Sequence, residues 1–495
     1  MTRTSPSPKE GLVFRILQNS GIHLGGTLFV IIVGLATNIL TARSLGAEAY
    51  GQYSFIYVFL SFFEMFVDFG LNNILTREAV QDRALIPRLL GNAVLFRLGL
   101  LAISIPFAWL LISFLKYPWS VRSGVFLASF QLLLGMKSIF EIIFRINLTM
   151  AYSALWNAVR VTANLALIGM IVAWAHPAIP LFIMAGMASG FLGLAGLLLT
   201  SFKYISYDFK PDWPLLRRIV KASWPILISS LMTVLYSRID ILMLSRMRGF
   251  SEVGQYNVAL RITENLSILA SALMVSLFPL LSETFKHDRA KFDRLTVEAF
   301  KWLLMASLPM AVGGLFTARE LIVLLFGPAY AFSATALTLL LWTTIFCYEG
   351  NLLVNILYAC HRQSVDAWIS FLMVLTGAGL NYVLIPIYGY NGSAAAAVFN
   401  VFFACAAMIF CLLRVPGLGF PAGRLKSAAM AVLKVNIVFA AFLALMKYGL
   451  HLPVVPLIAA GLVVYGLILF GFKELSWGMV KQYVNQFSSK EVPKP

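Results

Sequence analysis

Charge is scarce in this sequence, and negative charge scarcest: only 12% of the 495 residues are charged, with 21 Asp and Glu against 38 Lys and Arg. A soluble globular domain carries about 25% charged and about 45–50% apolar residues. A chain that is 60% hydrophobic, with a mean hydropathy of +0.85, falls outside that class. Also missing is any polar, mixed-charge stretch long enough to build a soluble domain, although the length alone would suggest about three. Cysteine is rare. Cys347, Cys360, Cys405 and Cys411 all lie in apolar segments without a CxxC or Cys/His spacing, and the five histidines are scattered, so neither a metal site nor a disulfide framework is indicated. No cofactor is implied.

What is abundant is the long apolar run. A spanning helix needs about twenty mostly apolar residues. Runs of that kind fall near 22–43, 51–71, 89–115, 120–143, 153–175, 178–201, 222–245 and 254–281, then near 298–325, 332–358, 365–387, 392–413, 427–449 and 453–472. The first is longer than a signal-peptide core of about 7–15 residues and reads as a spanning helix. The fold class is therefore an all-α polytopic membrane protein of about 14 transmembrane helices with short, antiparallel connections. Pro106, Pro225, Pro279 and Pro309 lie inside runs, where membrane helices tolerate them.

The net charge of +17 could suggest nucleic acid, but the basic residues gather between the runs, as in cytoplasmic loops. With the N-terminus inside, the inner segments hold Arg77, Arg83, Arg88, Lys203, Lys210, Arg217, Arg218, Lys221, Lys286, Arg289, Lys291 and Arg294, among others. The outer loops hold Arg43, Lys116, Arg122, Arg246, Arg248, Arg319 and Lys447. This bias places both termini in the cytoplasm and offers the inner face to anionic headgroups rather than to nucleic acid.

The chain also repeats itself. RSLGAEAYGQY (Arg43 to Tyr53) and RMRGFSEVGQY (Arg246 to Tyr256) match at Arg, Gly, Gly, Gln and Tyr without a gap, 203 residues apart. Both copies follow corresponding helices on the same expected side, which makes the repeat parallel. It predicts an N-lobe over 1–202, a cytoplasmic linker over 203–221 and a C-lobe over 222–414. A C-terminal helix pair over 424–473 and a cytoplasmic tail over 474–495 follow. Duplicated halves are a common transporter plan, though a channel or membrane enzyme can also be duplicated.

ARSLGAEAYGQYSF (Ala42 to Phe55), DFGLNNILTREA (Asp68 to Ala79) and YSRIDILMLSRMRGFSEVGQYNVALRITE (Tyr236 to Glu264) carry a family resemblance, with FGPAYAFSATALTLLL (Phe326 to Leu341) in weaker support. The chain resembles Wzx-type flippases for lipid-linked oligosaccharides, within the multidrug/oligosaccharidyl-lipid/polysaccharide exporter superfamily. The resemblance implies two six-helix lobes that open alternately to each side of a bacterial plasma membrane. It implies an undecaprenyl-pyrophosphate-linked glycan as cargo, and a non-enzymatic role in O-antigen, capsule or exopolysaccharide synthesis. A polysaccharide polymerase and a chain-length regulator would be partners, and H+ or Na+ the coupling ion.

Charged groups at bilayer depth are functional candidates by default. The cations are Arg97, Lys137, Arg145, Arg160, Arg238 and Arg261; the acids are Glu64, Asp68, Glu141, Asp240, Glu264 and Glu349. A pyrophosphate cargo needs cations along its path, and arginine stays charged while binding phosphate through two donors. Arg97, Arg160, Arg238 and Arg261 are the substrate-binding candidates, and Glu64, Asp68, Asp240 and Glu264 the ion-coupling candidates. Structural alternatives stand beside each. Lys137 and Arg145 can snorkel to headgroups. Arg238 can pair with a nearby acid, Arg261 with Glu264 one turn away, and Asp68 with the loop residue Arg77. Gly190, Gly193 and Gly196 share one helix and predict close helix packing rather than a phosphate loop.

Two other functions compete. A multidrug or cation antiporter of the same superfamily would usually have twelve helices and fewer cavity cations. A membrane polymerase, ligase or glycosyltransferase would need a large outer loop with catalytic groups, and the loops here are too short.

Overall fold

A computed structural model describes residues 8–472 apart from 148, 175 and 416–418, with side chains from Gly25 onward except those of 272, 275 and 276. The tail expected at 474–495 lies outside the described residues. Among the described residues there is no strand. The helices run in order as α1 (Pro8–Asp68), α2 (Leu71–Gln81), α3 (Ile86–Phe114), α4 (Trp119–Ala128), α5 (Lys137–Ile146), α6 (Met150–Trp174), α7 (Ile179–Ser201) and α8 (Trp213–Met247). They continue as α9 (Phe250–His287), α10 (Arg289–Phe326), α11 (Ser333–Ala359), α12 (Gln363–Tyr388), α13 (Tyr390–Leu413), α14 (Ala422–Ala444) and α15 (Val454–Gly471).

Twelve segments among the described residues are long and apolar enough to cross a membrane. The first of them holds two passes. Gly46 leaves helical geometry with φ +74°, and the Tyr50 hydroxyl lies 3.4 Å from Asn38 Oδ1. Twelve residues of straight helix would separate those positions by about 18 Å, so the chain reverses at Gly46. With α9, 38 residues long, the passes reach the expected fourteen.

The repeat acquires a physical meaning at these reversals. Gly46 and Gly249 are equivalent under the 203-residue offset, and both take a positive φ (+74° and +92°) that a Cβ would strain. Gly51 and Gly254 are the next equivalent pair, and they face each other's loop. A Cβ on Gly51 would stand 1.8 Å from the Phe250 carbonyl oxygen; one on Gly254 would stand 1.9 Å from the Ala47 oxygen. Ala47 and Phe250 are themselves equivalent. A reciprocal contact of this kind requires both junctions at one end of the bundle, as a parallel repeat demands.

The chain packs as two compact units. The first runs to Arg261 and adds Ser370–Ser393; the second comprises Ile262–Ile369 and the residues from Ala394 onward. The first unit therefore takes in α8 and the start of α9, beyond residue 202. The Gly51–Gly254 contact and the packing of α8 on α1 and α2 tie them there. Its core is aliphatic and aromatic, with Phe55, Ile56, Leu71, Leu89, Val125 and Phe144 fully buried. In the second unit α10 packs on α11 and α14, and α14 on α15. The C-terminal pair is bonded down: the Tyr465 hydroxyl donates to the Met305 oxygen at 2.9 Å, and Lys447 donates to the Phe316 oxygen at 2.7 Å while pairing with Glu320.

One expected span is not uniform. The run near 120–143 is α4 and α5 joined by a 3-10 stretch, Ser129–Met136. Tighter winding of this length is uncommon and marks a local constraint. It forms one wall of the cavity in the first unit.

Candidate functional site

The first unit encloses a cavity of about 280 Å³, large enough for several water molecules. The arm of α1 after Gly46 contributes Tyr53, Tyr57, Ser61 and Glu64, spaced so that one helix face meets it. The 3-10 stretch contributes Gln131 and Gly135, the start of α5 Lys137, and α6 Trp156, Asn157, Arg160 and Asn164. Gly186, Gly190 and Gly193 of α7 close the remaining side.

Glycine on α7 lets α6 and the 3-10 stretch come close. A Cβ on Gly190 would strike Leu134 at 2.3 Å, one on Gly196 the Trp156 ring at 2.2 Å, and one on Gly193 would press Arg160 Cβ at 3.1 Å. The packing role expected of these glycines is the observed one. Trp156 is fixed as well by donating to Thr200 Oγ1 at 2.8 Å. Arg160 is thus placed by its neighbours' shape. Among the described residues its guanidinium makes no hydrogen bond or ion pair, and its Nε is buried without a partner.

Three charges meet the cavity with no ion pair or hydrogen bond among the described residues: Glu64, Lys137 and Arg160. A fourth, Glu141, stands behind Asn157. Its Oε1 accepts from Asn157 Nδ2 and Ser153 Oγ, each at 3.1 Å. Two tyrosines and a glutamine complete the polar wall. The rings of Tyr53 and Tyr57 lie 4.8 Å apart, and Gln131 Nε2 donates to the Tyr57 hydroxyl at 2.9 Å. The arrangement can bind an anion on Lys137 and Arg160 and carry a cation or proton on Glu64. Asn164 Oδ1 is a further buried acceptor without a partner.

Arg97 has a different setting. It is fully buried on α3 and does not line the cavity. It pairs with Asp68, and its Nη1 donates to the Gly135 oxygen at 2.6 Å and to Ser138 Oγ at 2.7 Å. The carboxylate of Asp68 also accepts from Asn72 at 2.8 Å. The pairing of Asp68 with Arg77 that the sequence suggested does not form; Arg77 lies beside Glu78 at 3.5 Å. Asp68 sits at the last turn of α1, where it faces α3 rather than the loop.

The remaining candidates are spread more widely. Arg238 and Arg261 are half-buried on α8 and α9 and do not line this cavity. Asp240 is buried, accepting from the Tyr256 hydroxyl at 2.5 Å and from the Ile241 amide at 2.7 Å. Tyr256 is the repeat equivalent of the cavity residue Tyr53. Glu264 is half-buried on α9, and Arg145 is exposed in the last turn of α5, where a snorkelling cation belongs. In the second unit Glu349 on α11 is buried, and neither of its carboxylate oxygens has a hydrogen-bond partner among the described residues. Composition and motif gave no sign of Gln131, Asn157 or Asn164, which are ordinary polar residues until the fold gathers them.

A family model described as polysaccharide biosynthesis protein matches residues 16–285, more than half of the chain. The chain belongs to the polysaccharide biosynthesis protein family. A second model, MatE, matches residues 225–387. Among relatives, the probable low-salt glycan biosynthesis flippase Agl15 of Haloferax volcanii is 23% identical over 72% of this chain and 75% of its own. The probable flippase AglR of the same organism is 24% identical over 51% of this chain. The chain spans 53% of AglR and 38% of an uncharacterized membrane protein of Methanocaldococcus jannaschii, about half or less of those relatives' length. Among solved structures, the lipid II flippase MurJ in an inward closed conformation superposes with a TM-score of 0.70 at 16% identity, covering 91% of this chain and 98% of MurJ. That likeness establishes the fold.

Proposed function

We propose that the protein is a flippase that carries a polyprenyl-pyrophosphate-linked oligosaccharide across the plasma membrane by alternating access. The observation that carries this reading is the pair of unpartnered cations, Lys137 and Arg160, on a cavity of the first unit. An ionised group inside a membrane protein that is not consumed by a structural partner is held for something that visits. A phosphate oxygen bonded to both would gain charge-assisted hydrogen bonds at the depth where water is lost. Glu64 on the same wall is the group through which an H+ or Na+ gradient would act, releasing the anion when its own charge changes. Arg238, Arg261, Asp240 and Glu264 remain candidates for later points on the path. The glycan-flippase relatives support the same substrate class.

The MatE match favours a second reading, in which the cargo is a small amphiphilic cation exchanged at Glu64. Reconstituted vesicles separate the two. With a short-chain polyprenyl-pyrophosphate oligosaccharide as probe, the native chain should translocate it, and Lys137→Gln/Arg160→Gln should lower the rate at least tenfold. Unchanged translocation by that variant would overturn the assignment of the cations. Transport of a cationic dye without any lipid transport would move the conclusion to the second reading.

A further inference from the structure

The segment between α7 and α8 is an ordered strap laid across the ends of the first unit's helices. Asn92 of α3 grips it at two points: Nδ2 donates to the Lys210 oxygen at 3.0 Å, and Oδ1 accepts from the Asp212 amide at 2.8 Å. The Asp208 amide donates to the Pro87 oxygen at 3.1 Å, and Gly91 lies so close that a Cβ would stand 1.9 Å from the Asp208 oxygen. Tyr207 is packed edge-on against Phe140 and donates to Ser201 Oγ at 2.7 Å. Burial pushes its phenol up to about 12, so it stays a neutral donor.

With its inner face anchored, the strap turns outward a sequence of rings and cations: Phe202, Lys203, Tyr204, Phe209 and Lys210 are all exposed. The pattern continues onto α8. Trp213, Arg217, Lys221 and Trp224 recur at helical spacing within about 80° of one another, and all four are exposed. The acids at this end are already engaged. Glu78 holds Arg218 and Arg77, Asp208 lies 3.6 Å from Arg88, and Asp82 and Asp212 accept from backbone amides at 2.9 and 3.0 Å. Among the described residues, Arg83, Lys203, Lys210, Arg217 and Lys221 form no ion pair or side-chain hydrogen bond.

Length fixes where this surface lies. At about 1.5 Å per residue the 35-residue α8 is about 52 Å long, against a hydrocarbon core of about 30 Å. About 22 Å of it therefore lies beyond the hydrocarbon, and the cationic first turns, with Arg217, Arg218 and Lys221, are the end suited to the headgroup layer. There tryptophan is the preferred ring, and each basic residue contributes about 1 kcal/mol of attraction to anionic lipid.

We propose that the strap over residues 202–212 and the first three turns of α8 form a binding surface for anionic phospholipid headgroups. Lys203, Lys210, Arg217 and Lys221 contact the phosphates, and Trp224, about 16 Å further along the helix than Trp213, seats the glycerol region. A loose basic loop would repel wrong topologies equally well without pinning its backbone to α3 or alternating rings with cations. The occupant is the bilayer's own lipid because the rings and cations are interleaved along one surface at headgroup depth.

The test counts lipids retained by the purified full chain in native mass spectrometry, with phosphatidylglycerol and phosphatidylcholine supplied in equal amounts. The native chain should prefer phosphatidylglycerol. Arg217→Gln/Lys221→Gln should weaken that preference about fivefold for each charge removed. Adding Lys203→Gln and Lys210→Gln should abolish it, and the double variant keeps the test open if the quadruple one misfolds. Lys116→Gln/Arg122→Gln, just before and in the first turn of α4, should leave the preference intact. An unchanged preference in Arg217→Gln/Lys221→Gln overturns the proposal. So does an equal loss in Lys116→Gln/Arg122→Gln, which would trace the preference to net charge. Retention of an acidic protein in place of lipid, lost in the same double variant, would assign the surface to a protein partner and overturn it too.

Discussion

Arg97 and Arg160 are both arginines at bilayer depth in the first unit, and the structure holds them by opposite means. Arg97 is fixed by bonds: one carboxylate, one carbonyl and one hydroxyl receive its guanidinium, and nothing of it reaches the cavity. Arg160 is fixed by shape: the glycine face of α7 cradles its stem and leaves its head with no partner. The difference teaches how to tell a structural charge from a working one. A structural charge is neutralised where it stands. A working charge is positioned by contacts that do not consume its donors.

The comparison breaks most sharply at Arg97. Arg97→Met fills most of the volume but strands Asp68, whose side chain is 25% exposed, so the cost falls toward the lower end of the about 3–5 kcal/mol for a buried pair that loses one partner. The Gly135 carbonyl also loses one of its donors, keeping the Ser138 hydroxyl at 2.9 Å, at the point where the 3-10 stretch meets α5. Thermal unfolding of the detergent-solubilised chain should show the largest destabilisation of any single change here. Asp68→Asn in the same background should recover part of it, because the stranded charge is then gone. A melting temperature unaffected by Arg97→Met would place Arg97 with Arg160 and dissolve the distinction.

Much of this fold was legible in the sequence because lipid imposes a length and a composition on every pass. The fourteen runs, the prolines within them and the junction repeat all follow from that constraint, and Gly46 and Gly249 are where the backbone shows why the repeat kept its glycines. The site was less legible. Asp68 has Arg77 nine positions away and Arg97 twenty-nine away, and only the packing of α3 on α1 decides between them. Lys137 reads as a snorkelling lysine until the 3-10 stretch turns it into the cavity. No periodicity announces that stretch, since its residues are as apolar as a regular helix. The cations were found by their rarity; their partners needed three dimensions.

The second way to sharpen the comparison is to disturb the shape that places Arg160. Gly196→Ala puts a methyl group 2.2 Å from the Trp156 ring, whose indole is held by Thr200. Overpacking of this kind costs about 1–3 kcal/mol. Because α6 must move away from α7, Arg160 should lose its position as well. Translocation in the vesicle assay should then fall along with stability. Trp156→Phe combined with Gly196→Ala should restore both in part by giving the methyl group room. Gly99→Ala, with open space at the corresponding position, should change neither.

The smallest expected effect on stability is the most informative. Arg160→Gln removes a charge that bonds to nothing among the described residues and keeps the Cβ and Cγ that pack on Gly193, so the change should stay within about 1 kcal/mol. Its melting temperature should stay close to the native chain's. Translocation should nevertheless fall with the loss of the second phosphate donor. Arg160→Lys should keep part of the rate, because it restores the charge without the planar fork. Stability preserved with transport lost is the signature of a charge held in readiness, and the reverse of what Arg97→Met should give. If Arg160→Gln instead destabilises the chain as Arg97→Met does, Arg160 has a structural partner after all, and the cavity loses its claim on the anion.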